Sequence, residues 1–94
     1  MSAIEGKYGK VTTQKGNFHE NEPVFILRAQ DPIAANLIRI YADLCNKAGC
    51  SYIHIDSCIA QAVLFEKWKY DNPELVKERP GEKVAGVFTR GSGV

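Results

Sequence analysis

Along this chain the apolar residues change rhythm twice. From Tyr8 to Lys15 the segment YGKVTTQK carries β-branched residues at its centre and glycines near its ends, which predicts a strand. GNFHENE, polar and holding Gly16, Asn17 and Asn21, reads as a hairpin loop. A second strand is predicted over Val24 to Ala29. Val24, Ile26 and Arg28 point one way and Phe25, Leu27 and Ala29 the other, so both faces are apolar until Arg28. The period then becomes helical: Ile33, Leu37, Ile40, Tyr41, Leu44 and Ala48 share a stripe, and Asn36, Arg39, Asp43, Asn46 and Lys47 form the wet face. Asp31-Pro32 suits the start of that helix, with a capping carboxylate followed by an imino acid that needs no donor. Gly49 supplies a left-handed stop.

Ser51 is placed to cap a second helix from Tyr52 to Tyr70. Ile55, Cys58, Ile59, Ala62 and Phe65 make one stripe, which Ala60, Val63, Leu64 and Trp68 widen beyond what one partner helix covers. Asn72-Pro73-Glu74 opens a short helix through Arg79, Pro80-Gly81 breaks it, and EKVAGVFTR is a candidate third strand. The fold class is therefore α+β: an N-terminal β-hairpin, an antiparallel helical hairpin, a short C-terminal helix and that added strand. Residues 1–7 are expected to be a flexible start, 8–79 one domain, and 80–94 a tail. The over-wide face of residues 55–68 suggests burial against another copy, hence a homo-oligomer.

Charge narrows the functions. Twelve Lys plus Arg against eleven Asp plus Glu leave a formal net charge of +1, which gives no broad field toward nucleic acid or an anionic membrane. No apolar run approaches the roughly 18 residues of a membrane span. The N-terminal MSAIEGKYGK lacks the apolar core of a secretory signal. An odd number of cysteines fits reduced thiols and a cytoplasmic setting.

Candidate chemistry is sparse. Cys45, Cys50, His54 and Cys58 offer an acceptable donor set for structural zinc. The compact CxxC knuckle is missing, however, and Cys58 falls on the apolar stripe, so the reading taken is thiols without metal. No Walker loop, GxGxxG, HExxH or GxSxG pattern occurs, and nothing points to catalysis or a cofactor. The stretch PVFILRAQDP ends in Arg28, Gln30 and Asp31, where a strand meets a helix start. Those residues can do structural work: Arg28 on a carboxylate, Gln30 on backbone, Asp31 as cap. The same geometry can hold an anion on free amides and the planar guanidinium, although a capping Asp31 competes for the amides. Tyr41, Tyr52, Phe65, Trp68 and Tyr70, with Lys67 and Lys69 interleaved, are packing residues or a stacking surface for a base. The candidate ligand residues are thus Arg28, Gln30, Asp31, Arg39, Tyr41, Lys67 and Trp68.

EPVFILRAQDPIAANLIRIYADLCNKAG, followed by a helix ending in FEKW, resembles a pattern of small phage-encoded proteins: an acidic residue, PVF, LRAQD, an Ile-Arg/Tyr-Ala helix, and a second helix closing on Trp. The resemblance covers about residues 8 to 69. In size and plan the chain is also similar to phage sponges of nucleotide immune signals, such as the Thoeris anti-defence type. That resemblance implies a phage accessory protein in the host cytoplasm that sequesters a small phosphorylated or nucleotide-like signal. The alternative is an inhibitor or adaptor laying its helical face on a host protein.

Overall fold

A computed structural model describes residues 1–80. Its elements run β1 (Ala3–Glu5), β2 (Gly9–Val11), β3 (Pro23–Val24), α1 (Ala34–Lys47), α2 (Tyr52–Asp71) and a single 3₁₀ turn at Pro73–Leu75, an α+β arrangement. The sheet order is β2-β1-β3. β2 lies antiparallel to β1, with Ala3 opposite Val11 and Glu5 opposite Gly9. β3 lies parallel to it, with Ile4 opposite Pro23 and Glu5 opposite Val24.

The sheet differs from the sequence expectation. Residues 3–5, read as part of a flexible start, form the central strand, and Ala3 and Glu5 are buried. The predicted partner strand shrinks to Pro23–Val24, and residues 25–29 run on without a ladder. The tight turn therefore spans Gly6 to Tyr8, not residues 16–22. Gly9 follows it at φ 81°, a left-handed angle that a side chain resists. Asn21, at φ 60°, turns the chain into β3, its amide on the Ser2 carbonyl at 2.9 Å.

At Ser51 and Gly49 the helices follow their signals closely. The Ser51 hydroxyl accepts the His54 amide at 3.2 Å and caps α2. α1 closes in a Schellman motif: the Gly49 amide donates to Asn46 O at 3.1 Å and the Cys50 amide to Cys45 O at 2.9 Å, with Gly49 at φ 80°. The other end departs from its signal. Asp31 Oδ1 accepts the Ile33 amide at 2.9 Å in a turn before the helix, so Asp31 is not the N-cap and Pro32 not the first helical residue. Ile33 is the N-cap, without a side-chain cap, and α1 starts at Ala34. The expected helix through Arg79 is one 3₁₀ turn. The candidate strand EKVAGVFTR lies outside the described residues.

Packing turns a third face of α1 inward, neither the expected apolar stripe nor the expected wet face, which stays exposed. Ala34, Ala35, Ala42 and Cys45 are buried on the helical hairpin's seam, whereas Ile33, Leu37, Ile40, Tyr41 and Leu44 stay 42–56% exposed. On α2 the least exposed line is Ile55, Cys58, Ala62, Phe65 and Trp68, and Ala62 alone is fully buried. Small side chains on both helices let the backbones approach closely. The buried apolar residues described are five alanines and one cysteine. Burying one Leu or Ile fully is worth about 1.5–3 kcal/mol, and none contributes that here. Strands contact strands and helices contact helices; the segment 25–33 joins the two parts, and the Lys77 amide ties back to Gln30 O at 2.9 Å. Among the described residues no helix is long and apolar enough to cross a membrane.

Candidate functional site

The β1–β2 turn and the segment after β3 line a half-open cavity of about 330 Å³. Its floor is organised by Glu5. One carboxylate oxygen accepts the amides of Lys7 and Tyr8 (the latter at 3.2 Å), and the other accepts Ile26 at 3.3 Å. The bond from Lys7, above all, holds the Glu5 carboxyl below the usual carboxylate range against the opposing effect of burial. Glu5 is thus committed to holding the turn.

Arg28 closes one wall. Its Nη1 donates to Tyr8 Oη at 3.3 Å, and the guanidinium carbon sits 6.0 Å from the Tyr8 ring centroid. Among the described residues it makes no ion pair with a carboxylate, so the expected structural partner is replaced by a phenol. Lys7 and Lys77 line the same cavity, as do Gln30 and Asp31. Asp31 is engaged with the Ile33 amide, as a structural role requires. The cavity is therefore lined by Lys7, Arg28 and Lys77 and by the carboxylates of Glu5, both of whose oxygens accept backbone amides, and Asp31, one of whose oxygens does. The cationic side chains among its lining residues are one planar guanidinium and two lysines.

Of the other candidates, only Trp68 comes near. It shares a shallow depression with Leu27, Arg28, Gln30, Gln61 and Phe65 on the other side of the 27–30 segment. Arg39 lies elsewhere and forks onto Glu66, at 3.2 Å from Nε and 2.8 Å from Nη2. That bond raises the Arg39 pKa and lowers that of Glu66. Lys67 Nζ holds Asp71 at 2.8 Å. Tyr41 packs edge-on to His54, its hydroxyl 3.4 Å from Nε2. Arg39, Tyr41 and Lys67 thus do not join the Arg28 cavity. Sequence reasoning missed Tyr8, Lys7 and Lys77. The turn glycines Gly6 and Gly9 were a signal for the first two; Lys77 arrives from a distant segment and left none.

The three thiols and His54 are neighbours at the ends of the two helices. His54 Nε2 lies 3.8 Å from Cys58 Sγ. Desolvation, then a hydrogen bond with Cys45, pushes the Cys50 thiol up, and the bond to Cys45 likewise raises Tyr41. Among the described residues no three His, Cys, Asp or Glu side chains are arranged to hold an ion. No family model, curated protein or solved structure matches this chain.

Proposed function

We propose that the protein binds a small phosphorylated or nucleotide-like anion, without chemistry, in the cavity between the β1–β2 turn and residues 24–31. The observation that carries this reading is Arg28: an exposed guanidinium on a cavity wall, steadied by a phenol and bearing no carboxylate. Lys7 and Lys77 add charge, and Tyr8 and Phe25 add ring surface for a base or sugar. The volume of about 330 Å³ falls at the small end of ligand sites. In the phage setting that the resemblance implies, such binding sequesters a host signal in the cytoplasm.

Titration calorimetry with orthophosphate, cyclic nucleotides and ADP-ribose tests the reading. Arg28→Lys keeps the charge and loses the fork, so affinity should fall about tenfold to a hundredfold, the worth of a charge-assisted contact of about 1.5–3 kcal/mol. Wild-type protein that takes up none of these anions ends the proposal. The adaptor reading, which draws on the exposed stripe of α1, then takes precedence.

A further inference from the structure

The stop of α1 brings two of the three cysteines together. In a Schellman motif the chain turns back over the last helical turn, and the side chain two residues past the cap meets that of the residue whose carbonyl accepts its amide. Such a contact is ordinarily apolar. Here its two positions are Cys50 and Cys45, joined by the 2.9 Å bond from the Cys50 amide to Cys45 O, with Gly49 at φ 80° making the turn. The two thiols are themselves within hydrogen-bonding reach of each other. Cys45 is buried in the seam of the helical hairpin, and Cys50 is exposed to solvent. An accessible thiol backed by a sheltered one is the arrangement of an attacking and a resolving cysteine. Cys58, on the next helix, has another neighbour, His54 Nε2 at 3.8 Å.

We propose that Cys45 and Cys50 are a reversible dithiol–disulfide pair, oxidised by a small disulfide such as that of glutathione. The Cys50 thiolate attacks one sulfur of the glutathione disulfide, which forms a mixed disulfide and releases one glutathione. Cys45 then loses its proton and attacks Cys50 Sγ, which breaks the mixed disulfide and releases the second glutathione. Two protein thiols are oxidised, one glutathione disulfide is reduced, and the two protons end on the glutathione thiols. The bridge closes a ring around Gly49 and fixes the left-handed turn between α1 and α2. Desolvation and the bond to Cys45 raise the Cys50 thiol, so it attacks slowly and leaves slowly. The pair is a slow clip, set by sustained oxidation. It shares no residue with the Arg28 cavity and stands independently of the anion reading.

Thiol trapping in glutathione buffers of rising oxidised fraction, read by intact mass and peptide mapping, tests it. Wild-type protein should lose two thiols together without retaining glutathione, while alkylation still labels Cys58. Excess dithiothreitol should restore labelling of all three cysteines. Cys45→Ser should stop at the mixed disulfide on Cys50, and Cys58→Ser should bridge as wild type does. Cys50→Ser, at an exposed position, should form no bridge, and it carries the test should Cys45→Ser fail to fold. A bridge that includes Cys58 overturns the proposal, as does a bridge between two chains. A lasting glutathione adduct on wild-type Cys50 overturns it too, and so do three thiols that stay labelled at every ratio.

Discussion

Glu5 and Arg28 show opposite fates for a charged side chain. Both oxygens of Glu5 are occupied by backbone amides, so its carboxylate form is preferred in the folded state and its pKa is lowered. The unfolded chain binds the proton more tightly. The stability Glu5 contributes is therefore fully present above the ordinary glutamate value of about 4.3 and lost as pH falls through the lower folded value. Glu5→Gln should abolish that part of the acid transition and lower Tm at neutral pH, where an amide cannot accept three donors as well. Far-ultraviolet circular dichroism followed through an acid titration reads the difference, and identical curves for both proteins would show that Glu5 is idle. Arg28, by contrast, makes one bond to a neutral hydroxyl. Its candidacy was legible in the sequence, where a cation ends an apolar run. Its true neighbour was not, because pairing Tyr8 with Arg28 depends on a three-residue strand that no alternation announces.

Among the elements, Ser51 and Gly49 read correctly because each signal has a local mechanism, whereas the Asp31-Pro32 start did not: Ile33 is the N-cap of α1 and no side chain caps it. Ser51 and Gly49 act on amides and carbonyls within five residues of themselves. Gly49→Ala meets no atom within 4 Å but must hold φ near 80°, so it should lose about 1–2 kcal/mol through backbone strain alone. Ser51→Ala should lose about 1 kcal/mol as the His54 amide goes unpaired. Urea unfolding of the two variants measures both; a neutral Gly49→Ala would mean that the left-handed turn is not held in solution. The faces of α1 were misread for a physical reason. A hydrophobic stripe marks where a helix wants cover, but it does not say whether the cover comes from the same chain. The alanine face, weakly apolar by composition, won the intramolecular contact because small residues allow α2 the closest approach.

At the scale of the whole molecule, two parts meet through a short linker. The sheet holds the candidate anion cavity, and the helical hairpin holds the Cys45–Cys50 pair. α1 and α2 are sequence neighbours, whereas β1 must find β3 from about twenty residues away, pairing Ile4 with Pro23. The order of assembly follows from that separation. Helices with a short connection close quickly, and the parallel pairing, which pays its loop entropy first, comes late. The cavity is walled by that late pairing, so an anion seated there touches contacts absent from the folding transition state. It should leave the refolding rate unchanged and slow unfolding in proportion to its binding. Stopped-flow chevrons with and without a bound anion from the calorimetric panel would show this as a lowered unfolding limb under an unmoved folding limb. Acceleration of refolding by the anion would instead place β1 and β3 in the nucleus. The shortest strand among the described residues then becomes a latch: two residues that close last, open first, and set how long a captured ion stays.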